Sequence, residues 1–110
     1  MTQPRITVDE VRAAYEKCGL SPIRKFWLLD GSRLCCPQTA ILASDGLDVF
    51  VLTDLCTPAA KRWGSDYAAG FRDGFDGREC YGDHPEWKQA HADGVAVAAA
   101  IFGETSNQPA

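Results

Sequence analysis

The sequence is poor in the features by which a small protein usually declares its work. It has no basic cluster: 11 Lys and Arg stand against 15 Asp and Glu, for a formal net charge of −4. That removes the electrostatic footprint on which phosphate-backbone contacts depend and disfavours nucleic acid as a partner. Arg24, Lys25 and Arg33 are the nearest approach to a local basic face. Long hydrophobic runs are missing too. The longest, residues 95–102, falls well short of the roughly 20 residues of a membrane-spanning helix, so no membrane role is expected. The opening MTQPRITVDE lacks the apolar core of a signal peptide. A soluble, cytoplasmic chain is the expectation. There is no C-x-x-C pair, no recognisable catalytic motif, no repeat and no low-complexity segment. The cysteines (Cys18, Cys35, Cys36, Cys56 and Cys80) are odd in number, which argues against a disulfide framework. Thiols buried as small hydrophobes are the default reading.

What the sequence does have is an ordinary globular balance, 45% hydrophobic and 24% charged in 110 residues. That is a single domain's length, enough to bury roughly two thirds of the unfolded surface. The chain is organised around residues 63–77, WGSDYAAGFRDGFDG. Trp63, Tyr67, Phe71 and Phe75 recur every four residues, and Gly70 and Gly74 share that spacing. At about 100° per residue all six fall on one arc, with Ala60 among them. Arg62, Ser65, Asp66, Arg72, Asp73 and Asp76 fall on the other. The pattern predicts an amphipathic helix whose buried face mixes large rings with bare backbone, running from Pro58 and closed by Asp76 and Gly77.

Signals along the rest of the chain place three further helices. Thr7-Val8-Asp9-Glu10 reads as a capping box opening a helix over 8–18. Gly19 suits the left-handed residue after its end, and Pro22 prevents continuation. Residues 1–6 read as a polar arm. Pro37 pre-organises the first turn of a helix over 37–44, ended by Asp45-Gly46. Pro85 opens a last helix over 85–102, with Trp87, His91, Gly94, Ala98, Ile101 and Phe102 on one face and Val95 at its margin. Between these lie short β candidates: 25–29 and 32–35 around Asp30-Gly31, and the β-branched run at 49–52. Gly94 and Ala98 match Gly70 and Gly74 as small residues four apart. Small residues let helix axes approach closely, so the third and fourth helices are expected to pack as an antiparallel hairpin. The tail over 104–110 reads as flexible.

CCPQTA at 35–40 followed by YAAGFRDGFDG at 67–77, with an opening helix that ends in CGLSP at 18–22, resembles a pattern found in small uncharacterised bacterial proteins. The resemblance covers most of the chain from about residue 8. It implies one compact domain and carries no known activity or functional residue.

Three places could hold chemistry. Cys36 precedes Pro37 at a helix start, where unpaired amides and the dipole can lower a thiol pKa. Cys35 beside it could resolve a disulfide, and His84 or His91 could assist. Cys80-x3-His84, with further thiols from Cys35, Cys36 and Cys56, offers zinc-type ligands at loose spacing. His91 on an apolar helix face is either a general base near Tyr67 or Tyr81, or a core histidine with one hydrogen bond. The aspartates Asp73, Asp76 and Asp83 do not match a calcium loop. Phe26, Trp27 and Phe50 lie in the less regular segments and are candidates for an exposed contact with a protein partner or a second copy.

The expectation is a mainly α (α+β) single domain of about four helices with a minor β element. Its first functional reading is a non-enzymatic protein-interaction or regulatory module, and a homodimer is among its forms. The alternative is a thiol-redox or zinc protein built on Cys35, Cys36, Cys80 and His84.

Overall fold

A computed structural model describes residues 5–24, 27–28, 33–51, 54–80 and 83–103. The domain is mainly helical with a minor β element. Helix α1 spans Val8–Cys18. The Thr7 hydroxyl accepts from the Glu10 amide at 3.2 Å, and Gly19, at φ +72°, donates its N–H back to the Tyr15 carbonyl. Helix α2 spans Pro37–Ser44. Both match their sequence signals.

Between them the chain makes β1 (Ser21–Pro22) and β2 (Leu34–Cys35), paired parallel in the register Ser21 to Leu34 and Pro22 to Cys35. Leu28 adds an antiparallel bridge to Cys35. A hairpin of 25–29 with 32–35 was expected here; residues 25–26 and 29–32 lie outside the described residues. Of the run at 49–52, residues 49–51 are not a strand, and residue 52 lies outside the described residues. Val49–Val51 forms a 3-10 turn, because among the described residues no neighbouring strand offers this segment a ladder, and β propensity without a partner does not hold an extended chain.

The single central helix is in fact two. Helix α3 spans Cys56–Trp63 and α4 spans Ser65–Phe75. The chain breaks at Gly64, whose φ of +88° and ψ of 148° lie in a region essentially reserved for glycine. The Gly64 N–H still closes α3 on the Ala60 carbonyl, and its carbonyl opens α4 by accepting from Ala68. Helix α5 spans Pro85–Phe102 as expected, giving five α-helices among the described residues.

Helices α4 and α5 form the largest contact in the domain, as the small residues imply, but they run in the same sense. Asp66 lies beside His84 and Glu86, Gly70 against Trp87 and Ala90, Gly74 against His91, and Phe75 against Phe102. The partners ascend together, which overturns the antiparallel expectation. Nine residues, 76–84, separate the helices. At about 3.3 Å per residue they can return over the length of α4, which at about 1.5 Å per residue is shorter. The buried face of α5 is also rotated from the expected one. It runs through Ala90, Asp93, Gly94, Val97 and Ala98, and Val95 is exposed. Helix α1 packs on α2 and α5. Among the described residues no helix is long and apolar enough to cross a membrane.

Candidate functional site

The residues that stood out in the sequence mostly build the core. Trp63, Tyr67, Phe71 and Phe75 are fully buried, with the last three rings stacked successively at 6.3 and 6.4 Å. Asp76 is buried at the end of α4, and Gly77 turns the chain at φ +81°. Gly70, Gly74 and Gly94 bring backbone onto backbone. A Cβ on Gly70 would lie 2.8 Å from the Trp87 carbonyl oxygen, one on Gly74 would strike the His91 carbonyl, and one on Gly94 would strike Phe71 and Phe75 backbone atoms.

CCPQTA is a core motif as well. Every residue from 35 to 42 is buried. The Tyr15 hydroxyl donates to the Cys35 carbonyl at 2.7 Å, and the Gln38 amide donates to the Ala68 carbonyl of α4 at 2.9 Å. Burial pushes the Cys35 thiol up, and neighbouring Cys36 and Cys18 add to the effect. Burial also raises the Cys36 thiol, against the opposing influence of a contact with Thr39 at 3.3 Å and of the Arg72 charge. Desolvation thus works against the lowering that a helix start favours, and outweighs it. Cys80 and His84 are both exposed. Among the described residues the one group of three ligand-type side chains within 4.8 Å is Asp66, His84 and Glu86. No cysteine joins it, so Cys35, Cys36, Cys80 and His84 are not brought together.

His91 is half-buried, with Nε2 2.7 Å from the Arg78 carbonyl oxygen. It ties α5 to the loop after α4. The Tyr67 hydroxyl is engaged elsewhere, in a network the sequence did not announce. It donates to Asp93 at 2.5 Å and accepts from the Ile6 amide at 2.8 Å. Asp93, 9% exposed, also accepts from Arg5 at 2.6 and 3.0 Å and from Gln89 at 3.0 Å. Burial alone would raise the Asp93 pKa, but the hydrogen bonds from Arg5, Tyr67 and Gln89 outweigh it and hold the carboxyl below the usual aspartate range. The polar arm expected over 1–6 is thus fixed at its end. Ile6 is buried and Arg5 is clamped to α5; residues 1–4 and 104–110 lie outside the described residues. Only a buried aspartate four residues after Gln89, on a face misphased by one position, could have signalled this in sequence.

Two surface features remain. The first is an apolar ridge after α2. Leu47, Phe50 and Val51 are 39, 59 and 73% exposed. Of the three interface candidates, Phe50 belongs to it, Trp27 is half-buried against the core, and Phe26 lies outside the described residues, as does Tyr81. The second is a cleft of about 490 Å³ between α2, α3 and α4, with an apolar wall including Leu55, Ala59 and Ala68 and a polar edge including Gln38, Arg72 and Arg78. Comparison with protein-family models, curated proteins and solved structures finds no match.

Proposed function

We propose that this chain is a non-enzymatic protein-interaction or regulatory domain, and that the ridge of Leu47, Phe50 and Val51 is its contact. The carrying observation is the exposure of three large apolar side chains within five residues. Large exposed apolar patches mark interaction surfaces, and aromatic residues are enriched at their energetic centres. Support also comes from how the chemistry-bearing side chains are spent. Tyr67 and Asp93 hold the N-terminal segment, and Cys35 and Cys36 are buried with raised pKa values. The thiol and zinc alternative finds no such support in the placement of its residues.

The first partner is a second copy of the chain, since a two-fold contact needs only one self-complementary patch. Sedimentation velocity over a concentration series tests this. The wild type should show a concentration-dependent dimer, and Phe50→Asp combined with Val51→Asp should return it to monomer. Because both side chains are exposed, the double variant should fold within about 1 kcal/mol of the wild type. A wild type that stays monomeric throughout would count against the ridge as a self-contact.

A further inference from the structure

The arginines of this protein are almost all engaged. Arg5 binds Asp93, Arg62 binds Asp45 and Glu10, and Arg78 lies 3.8 Å from Asp73 and Asp76. Arg12, Arg24 and Arg33 donate to the carbonyls of Ala100, Phe75 and Gly19. Arg72 alone has no hydrogen bond or ion pair among the described residues, although carboxylates outnumber cations in the chain. It is half-buried on α4 and faces the cleft between α2, α3 and α4. A guanidinium held at a cavity edge without a carboxylate is an unused fork of donors, shaped for a planar anion.

The surroundings define what would fill it. Gln38 is 1% exposed and lines the same cleft. Its amide nitrogen is committed to Ala68, which leaves the side-chain carbonyl with no partner among the described residues. Leu55, Ala59 and Ala68 supply an apolar wall, and about 490 Å³ is a small-molecule volume. Arg78 brings a second positive charge, and its 3.8 Å separations from Asp73 and Asp76 are too long for hydrogen bonds. Asp73 lines the cleft too. Arg78 is set against Asp73 and Asp76, so among the described residues Arg72 is the arginine of the cleft without an opposing carboxylate, which suits a monoanion better than a polyphosphate.

We propose that this cleft is a binding site for a small molecule that carries one carboxylate on an apolar body, with the carboxylate on Arg72 and the body against Leu55, Ala59 and Ala68. The site uses residues other than the interaction ridge, so it adds an activity rather than restating that one.

Amide chemical-shift titration of the full chain tests it, with hexanoate and phenylacetate as probes and hexanol and acetate as controls lacking the head or the body. The expected result is a saturable shift at Ala59, Ser65, Ala68 and Ala69 with both probes, and binding of each control weaker by about tenfold or more. Arg72→Gln should weaken probe binding by about 10- to 100-fold, the worth of a charge-assisted hydrogen bond to a carboxylate. Arg72→Lys should recover part of the loss. Among the described residues the Arg72 side chain has no hydrogen-bond or ion-pair partner, so both variants should keep the wild-type spectrum elsewhere. Shifts centred outside the cleft, no saturable shift with either probe, hexanol binding as well as hexanoate, or Arg72→Gln binding like the wild type would overturn the proposal.

Discussion

Gly74→Ala is the sharpest test of the packing described above, because its sign is diagnostic. In an open helix the substitution stabilises by about 1 kcal/mol, since glycine is the poorer helix former. At position 74 the new methyl would meet the His91 carbonyl oxygen, with the His91 carbonyl carbon 2.9 Å and Cα 3.1 Å away. Those are backbone atoms of α5 and cannot rotate aside as a side-chain tip could. Relief requires the axes of α4 and α5 to separate along the largest contact in the fold. Overpacking of a tight core costs about 1–3 kcal/mol and occasionally more. With backbone on both sides the upper part of that range applies, and subtracting the propensity gain leaves a net loss of about 2 kcal/mol. Against a typical domain stability of about 5–15 kcal/mol, the variant should remain folded. Its melting temperature should fall by on the order of 10 °C. Gly94→Ala, which meets Phe71, Gly74 and Phe75 backbone atoms, should behave alike. Gly70→Ala should cost less, because its new methyl would lie 2.8 Å from the nearest atom, the Trp87 carbonyl oxygen, a milder overlap than at Gly74 or Gly94. Urea melts followed by circular dichroism, with an unchanged m-value, give the free energy. A Gly74→Ala protein as stable as the wild type, or more stable, would refute close backbone contact between these helices.

Asp93→Asn should cost about 2 kcal/mol near neutral pH, because the replacement weakens charge-assisted hydrogen bonds to a buried group. The native Asp93 carboxyl titrates below its unfolded value. Its contribution is therefore complete above the ordinary aspartate pKa of about 4, and the gap between wild type and variant should close as pH falls below that through the depressed native value. A gap that persists undiminished in acid would show that the charge is not what matters. Asp66→Asn with Glu86→Gln should lower stability by about 0.5 kcal/mol each, less at high salt. Addition of a chelator to the wild type should leave its melting temperature where it was.

How much of this was legible follows from what each signal measures. Caps and prolines report local backbone chemistry, which is why Thr7, Gly19, Pro37 and Pro85 located α1, α2 and α5 to the residue. Four-residue spacing reports a shared face, which is why Trp63, Tyr67, Phe71 and Phe75 were all found in the core. The same spacing concealed the break at Gly64. Trp63 ends α3 and Tyr67 lies in the first turn of α4, and both rings stay buried across the joint. At 49–51 a β-branched run was read by propensity alone, although a strand is stabilised by cross-strand pairs that no local window contains. The Asp93 network was missed for a related reason. It unites Arg5, Tyr67, Gln89 and Asp93, and a buried carboxylate is recognisable only once its donors are in place.

The sense of α4 and α5 was the least legible feature, and it explains others. Stripes of small residues mark which faces touch and are indifferent to direction. Because the helices run the same way, their dipoles align and their positive ends lie together. That arrangement is unfavourable unless negative charge is placed at the shared end. Asp66 sits in the first turn of α4, Glu86 in the first turn of α5, and His84 caps α5 by accepting the Glu86 amide through Nδ1 at 3.2 Å. The trio of Asp66, His84 and Glu86 therefore has a structural use before any ion is considered: two carboxylates offset two helix ends that the fold forces side by side. In the same way, the bare backbone at Gly70 and Gly74 is covered by α5. The Arg72 side chain has no hydrogen bond or ion pair among the described residues, and that is why a ligand belongs in its cleft rather than on the helix face where the sequence is most conspicuous.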